Sequence, residues 1–509
     1  MAVLMGIDLG TSSVKTVLMH ESGSLMAIAQ QEYSFDIPRE GWAEQDPETW
    51  WKAAVDTIRS AMHTSGVQPE EIRGIGFSGQ MHGLVMLDGS GKPVRKAIIW
   101  CDQRTKHQVD YINQTVGEQR VGEIVHSPVA VGFMGPSLLW MKEHEPDMYR
   151  QTARVVLPKD YIRFKLTGTI STDISDAAST TLLDVSSGRW SDELINALGF
   201  RQELFPDIHL PDTPAGEISF EAADVTGLKR GTPVVHGGAD QVMQAVGNGI
   251  VTPGTISVTI GTGGQVLSPL DRPLYDSRLR AHGFNFLTRE SWYFMGASLS
   301  AGLSLRWLRN ILDPQLPYRE VDRLASQVPP GSEGLLFLPY LGGERTPHMD
   351  AHARGIFFGM TLNHKRSHLL RSVMEGVVFA LKDSLNILIN DLGQPCSRVI
   401  ASGGGMTSSL WLQMQADILQ QEIYISNMKE QAGVGAAITA GVGTGLFESY
   451  QQACSELISL QETPTIPDAS QKHQYQEYYE LYRQLYGLNR DAMHTASRLS
   501  RERTGGGKS

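Results

Sequence analysis

The feature that most constrains this chain is a strand–turn–strand pattern written twice. Ile7-Asp8-Leu9-Gly10-Thr11-Ser12-Ser13-Val14 aligns with Val258-Thr259-Ile260-Gly261-Thr262-Gly263-Gly264-Gln265. In each copy an apolar strand breaks into Gly-Thr-small-small and then resumes, which is a hairpin pattern. Such a turn offers backbone N–H groups and a hydroxyl with little side chain in the way, and this suits phosphate oxygens. Ordinary hairpins use the same residues. Two copies at equivalent places in two halves point instead to a duplicated α/β unit. Facing each other across a cleft, the two turns would clamp a triphosphate from both sides.

The surrounding sequence supports that organisation. Residues 3–8, 14–19 and 25–35 read as an antiparallel meander. A helix then starts at an Asp46 cap with Pro47 in its first turn, and Gly66 ends it. Residues 74–79 return to a strand, with Gln80-Met81-His82-Gly83 at its C-terminal end. Strands alternate with helices up to about residue 250. In the second half, strands are expected at 255–260, 265–267, 292–295 and 399–402. Helices are expected at 301–312, 366–392, 408–420 and 433–446. The expected domains are 1–253 and 254–490, hinged near Pro253-Gly254. A helical stretch over 471–499 would pack back on the surface, and 491–509 is expected to be a flexible tail.

Several residues in this frame carry chemistry. Asp8 precedes the first turn, and its counterpart before the second turn is Thr259. A carboxylate beside bound phosphates suits a hard cation such as Mg²⁺. Asp240 follows the strand 234–238 and opens a helix. It reads either as a helix cap or as a general base for a hydroxyl. Gln80, His82, Asp102 and Arg104 would read sugar hydroxyls, and Trp100 would offer a ring face or belong to the core. Ser402-Gly403-Gly404-Gly405 ends a strand, and Gly433-Val434-Gly435 opens a helix. Each run either admits a planar base close to the backbone or lets a helix pack tightly. No Rossmann or P-loop glycine pattern is present.

Composition excludes other classes. Lys+Arg number 44 against Asp+Glu 55, a net charge of −11, which disfavours nucleic acid as partner. No apolar run approaches the ~18 residues of a membrane span. The N-terminus lacks the features of a secretion signal. The three cysteines are far apart, with no metal or disulfide spacing. A cytoplasmic protein is expected.

Taken together, these residues resemble the actin-like ATPase architecture, two ribonuclease H-like α/β domains around a central cleft. More closely, the chain is similar to the FGGY family of carbohydrate kinases over roughly residues 3 to 490. The run Gly355-Ile356-Phe357-Phe358-Gly359-Met360, with His368-Leu369 and Ser372-Val373-Met374-Glu375, carries the family's C-terminal signature. Gly132-Phe133-Met134-Gly135-Pro136-Ser137-Leu138-Leu139-Trp140 carries the N-terminal one, with Ser137 where many members have Lys. Trp42-Ala43-Glu44-Gln45-Asp46-Pro47, Leu157-Pro158-Lys159-Asp160-Tyr161, Ser175-Asp176-Ala177-Ala178 and Gly343-Glu344-Arg345-Thr346-Pro347-His348 are most similar to the branch acting on D-xylulose. In that branch Asn often stands at Gln241, and some members have Asn at Cys101.

The resemblance implies a Mg·ATP-dependent kinase acting on the terminal hydroxyl of a ketopentose. It implies Asp240 as proton acceptor, and Met81, His82, Gln241 and Arg104 at the sugar. Asp8 would be the acid linked to the metal. Thr11, Ser12, Gly261, Thr262 and Gly263 would lie at the phosphates, and Gly404 and Gly405 at the adenosine. The alternatives are a family kinase for another ketopentose, sugar acid or polyol, and a non-catalytic actin-like nucleotide-binding protein. A homodimer is implied by the resemblance alone.

Overall fold

The computed structural model describes residues 2–505. It opens with β1 (Val3–Leu9), β2 (Ser13–His20) and β3 (Leu25–Glu32), paired antiparallel in that order. The ends of helix α1 (Pro47–Ser65) are those the sequence marks. The Asp46 carboxylate accepts the Glu48 N–H, and Gly66 closes the helix at φ 73°. β4 (Ile72–Gly79) pairs parallel to β1. Residues 80–213 form an excursion of helices and short paired strands. The chain returns through β5 (Pro214–Glu217), β6 (Pro233–Val235) and β7 (Gly238–Ala239) into α2 (Asp240–Gly247). The first sheet runs β5-β6-β4-β1-β2-β3, with β7 also paired to β4.

The second half repeats the plan. β8 (Thr255–Ile260) and β9 (Gly264–Leu270) form an antiparallel hairpin. β10 (His282–Asn285) and β11 (Trp292–Ser298) extend it on one side. Helices α3 (Gly302–Leu312), α4 (Tyr318–Ala325) and α5 (Arg366–Asn386) follow. β12 (Arg398–Ser402) pairs parallel to β8 as β4 does to β1. After α6 (Ser409–Leu419) come β13 (Ile423–Ile425), α7 (Gln431–Gly443) and the long α8 (Lys472–Gly505). The second sheet runs β10-β11-β9-β8-β12-β13.

Strand alternation decides what each face of the first sheet meets. Val3, Met5, Ile7 and Leu9 of β1 pack with Trp50, Ala54 and Ile58 of α1 in one core. Leu4 joins the other core, which contains Val434 and Ala437 of α7 and extends into the second half. On that face α7 lies directly on the sheet. A Cβ on Gly6 would stand 1.9 Å from the Gly433 carbonyl oxygen, and one on Gly435 would stand 1.9 Å from the Met243 carbonyl oxygen of α2. Glycine alone lets backbone approach backbone so closely. Helix α7 therefore belongs to the second half by sequence and to the first sheet by packing.

The excursion docks on the second sheet. Gly283 N–H donates to the His126 carbonyl (2.8 Å), and Asn285 Nδ2 and Trp292 Nε1 both donate to the Val185 carbonyl (3.0 and 2.9 Å).

The C-terminus corrects one expectation. Residues 491–505 are not a loose tail but the last turns of α8, with Met493 and Ser497 buried. Tyr475, Tyr479, Tyr482 and Leu485 recur at helical spacing and bury one face of that helix. Residues 506–509 lie outside the described residues.

Candidate active site

The parallel strands of the first sheet end in register. Leu9 pairs with Gly79, and Gly79 with Ala239. Gly10, Gln80 and Asp240, the residues that follow, thus form a row along one sheet edge. At roughly 4.8 Å per strand, the first turn and Asp240 stand about 10 Å apart, with Gln80 between them.

The first turn is braced from behind. Gly10 N–H donates to the Ser13 carbonyl (2.9 Å) and Tyr33 OH to the Gly10 carbonyl (2.6 Å). Gln45 Nε2 donates to the Thr11 carbonyl (2.7 Å), and Trp100 Nε1 to Thr11 Oγ1 (2.8 Å). Trp100 is thus not core but exposed, and its indole N–H supports the turn. Ser12 is exposed at the tip.

Asp8 sits one residue below the turn, partly exposed. Ser78, its partner across β4, donates Oγ–H to Asp8 Oδ1 (2.6 Å). Burial raises the Asp8 pKa, while the Ser78 hydrogen bond and the Lys15 charge oppose the rise. Lys15 reaches Glu430 at the start of α7 (2.6 Å). Burial pushes Asp240 up to about 7, and the Asp8 charge adds to this; the backbone and side chain of Gln241 donate to the carboxylate and pull it down. Asp240 is therefore a carboxylate poised near neutral pH, as a general base requires.

The backbone before Asp240 is pinned from below. Ala239 N–H donates to Ser175 Oγ (3.1 Å), and Ser175 Oγ–H donates to Asp173 Oδ2 (2.5 Å). Behind it Lys159 Nζ meets Asp160 and Asp173 at 2.7 Å each and Asp176 at 3.4 Å, with Arg163 also on Asp160. Burial holds Asp176 well above the usual carboxylate range. Lys159, Asp160, Ser175 and Asp176 stand in the sequence only within family motifs, and Arg163 and Asp173 in none of them.

Met81 is buried, and His82 sits at φ 71° with Nδ1 2.8 Å from the Ser179 carbonyl. That contact makes Nδ1 the protonated nitrogen and leaves Nε2 as an acceptor. Burial pushes the His82 pKa down to about 3, so the ring is neutral, and it stacks on Phe133 at 3.8 Å. The Arg104 guanidinium pairs with Asp102 and Glu44 (2.7 Å each), lies 3.7 Å from the Trp42 ring centre and is 1% exposed, and among the described residues its Nη1 is buried without a partner.

The second turn belongs to a separate pocket of about 600 Å³. Gly261, Thr262, Gly404 and Gly405 line it together. Gly263 closes the turn by accepting the Gly261 N–H (2.9 Å), and Gly302 at the start of α3 donates to the Gly261 carbonyl (2.8 Å). Arg306, Tyr318, Arg319, Asp322, Ser408 and Trp411 complete the walls. No motif marks Arg306, Tyr318, Arg319 or Asp322, and only tertiary packing brings them here. The pocket pairs a broad, partly apolar cavity with an N–H-rich turn, as a nucleotide needs. Gly433 and Gly435 are absent from it and serve helix packing.

A divalent cation fits the first turn. Asp8 and Asp240 are like charges that disfavour each other's ionisation. Among the described residues no cluster of three or more metal-ligating side chains forms a cage. One or two carboxylates completed by water and phosphate oxygens is a common setting for a hard cation that arrives with a nucleotide.

Comparison with known proteins agrees with this geometry. The model of the FGGY family of carbohydrate kinases, N-terminal domain, matches residues 3–247, and that of its C-terminal domain matches residues 256–444. A xylulose kinase of Bacillus subtilis is 37% identical, with 96% of this chain and 98% of the relative covered. A xylulose kinase of Lactococcus lactis is 36% identical, with 97% and 98% covered. The crystal structure of a xylulose kinase from Brucella ovis superposes with TM-score 0.89 at 31% identity, covering 96% of this chain and all of the other (100%). Two duplicated sheets, a poised acid at one turn and a glycine-floored pocket at the other thus coincide with matches to both domain models, and the chain is a member of the FGGY family of carbohydrate kinases.

Proposed function

We propose that this kinase transfers the γ-phosphoryl group of ATP to the terminal hydroxyl of D-xylulose, giving D-xylulose 5-phosphate and ADP. The adenosine lies in the glycine-floored pocket, and the phosphates pass between the turns at Thr11-Ser12 and Gly261-Thr262-Gly263. The sugar rests against Met81 and His82, with Gln241 beside it. The two lobes divide at residues 253 and 254. Asp8 would hold Mg²⁺, which would neutralise charge on the phosphates. Asp240 takes the proton of the attacking hydroxyl. Its raised pKa makes it a competent acceptor at neutral pH, and Gln241 aims its carboxylate. His82 accepts a sugar hydroxyl hydrogen at Nε2. Positioning supplies most of the acceleration in such a loose transition state.

The observation that carries the reading is the row of Gly10, Gln80 and Asp240 along one sheet edge. It brings a Gly-Thr turn and a carboxylate of raised pKa to the same edge of one sheet, which supports their acting on one bound substrate pair. Coupled ADP release with Mg·ATP is the test, across D-xylulose, D-ribulose, L-ribulose, L-xylulose, D-gluconate, glycerol and xylitol. D-xylulose is expected to show the largest kcat/KM. A larger value for another sugar overturns the substrate but keeps the site. Silence across the panel in an ATP-binding protein overturns the kinase reading.

A further inference from the structure

The surroundings of His82 include residues from the other half of the chain: its ring centre lies 6.5 Å from that of Phe284 in β10. The segment Glu344-Arg345-Thr346 crosses the end of β11, and every atom of its frame is tied down. Thr346 N–H donates to the Ala297 carbonyl (2.9 Å), and Ala297 N–H donates to Thr346 Oγ1 (3.1 Å). Glu344 is buried, and its carboxylate accepts from Ser298 Oγ (2.7 Å), Leu299 N–H (2.9 Å) and Arg345 N–H (2.7 Å). The backbone of Arg345 is thus fixed to within the tolerance of these bonds.

Its side chain is not. Arg345 is partly exposed, and among the described residues its guanidinium has no hydrogen bond or ion pair. An arginine is donor-only and permanently charged, so a guanidinium that no protein acceptor holds is open to an acceptor brought by a ligand. Its neighbours identify which ligand. The Arg345 charge lowers the pKa of both His82 and His282, after burial as the larger cause, so both rings are neutral. The two histidines flank Phe133, at 3.8 and 6.2 Å between ring centres. His282 Nδ1 lies 2.5 Å from Ser127 Oγ, and among the described residues its Nε2 is buried without a partner. Strand pairing sets His282 opposite Met295 of β11, two residues before Ala297, to which Thr346 is bonded, so the segment that carries Arg345 runs beside His282.

The geometry points to Arg345, with His282 beside it, as the sugar-binding group that the C-terminal half contributes, holding the end of the substrate remote from the transferred phosphoryl through an acceptor oxygen there. For a ketose that oxygen is the carbonyl. This inference rests on the sugar-kinase reading, in which the substrate lies against His82. It also gives each lobe a grip on the sugar, so that sugar binding draws the lobes together.

The test is Arg345→Gln, Arg345→Lys and Arg345→Ala in the full-length protein, with thermal melting as the check on folding. Arg345→Gln is expected to raise KM for the sugar about 10- to 100-fold, the range for losing hydrogen bonds to a charged group. The KM for ATP should hold within about twofold, as it does when only sugar binding is touched. Millimolar guanidinium added to Arg345→Ala should restore part of the lost kcat/KM. An effect on ATP instead of the sugar places Arg345 at the phosphates and overturns the inference, and so does an unchanged sugar KM. A sugar acid preferred by the wild type but not by Arg345→Gln keeps the grip and makes its acceptor a carboxylate. Absence of sugar-dependent turnover in the wild type removes the functional reading itself, a result distinct from any of these.

Discussion

The two halves share a hairpin and a strand order, and they differ in the loop that follows the parallel strand. After β4 that loop carries Gln80, Met81 and His82; after β12 it carries Gly403, Gly404 and Gly405. The same contrast appears below the turns. Asp8 is paired with Ser78 across β1 and β4 (2.6 Å), while Thr259 is paired with Ser402 across β8 and β12 (2.7 Å). Under the proposed function one framework would give two ligand chemistries, with the side chains of the first loop at the sugar, the bare glycines of the second at the base, and the cation-linked acid in one copy only.

Three substitutions probe this division. The largest effect is expected from Asp240→Asn, which has no counterpart in the second half. It should cut kcat by roughly a thousandfold or more, as for loss of a general base at a positioned nucleophile, while ATP binding survives. In the wild type, kcat/KM should rise with pH along a limb near 7, since Asp240 must be ionised and its carboxyl is pushed up to about 7. That limb should vanish in the residual activity of the variant. The stability effect has the opposite sign. The folded protein holds the Asp240 proton to a higher pH than the unfolded chain does, so this group's contribution is fully present below about 4 and is lost as pH rises through about 7. Asp240→Asn should therefore raise the melting temperature at pH 8.

Next is Asp8→Thr, which rebuilds the first turn after the second. The Thr259–Ser402 pair shows that this framework accepts the residue. Turnover should fall about a hundredfold and metal titration should flatten, a scale typical of losing one charge-stabilising group. Full activity in this variant would show that the asymmetry is incidental. The smallest effect should come from Gly404→Val. A Cβ there meets nothing nearer than the Ile260 carbonyl at 4.0 Å, so the chain folds and the side chain narrows the pocket. An increase of about tenfold in the KM for ATP, with the sugar KM unchanged, is expected from a modest steric intrusion.

The sequence made the periodic parts plain. The meander, the capped helix α1 and the second hairpin follow from alternation and from Asp46, Pro47 and Gly66, where local chemistry suffices. The two phosphate turns were legible because they occur twice. Three features were not. The partners of Arg104, which are Glu44, Asp102 and two tryptophan rings, come from separate segments that no local pattern links. The pocket walls on α3 and α4 carry no motif, because a cavity is a property of packing. The glycines of α7 had two readings, base contact or helix packing, and only the tertiary structure decides for packing.

The crossing of α7 has a consequence for how the protein is made. The strip of β1 around Gly6 leaves the ribosome early, but the backbone that covers it ends at Gly443. Translation adds about 5–20 residues per second, so the strip waits on the order of ten seconds or more for its cover. During that interval a nascent chain presents an open sheet face with no side chain at Gly6 to shield it. Such a chain has reason to depend on a chaperone while it is being synthesised, and a fragment ending at the close of the first half should aggregate rather than fold.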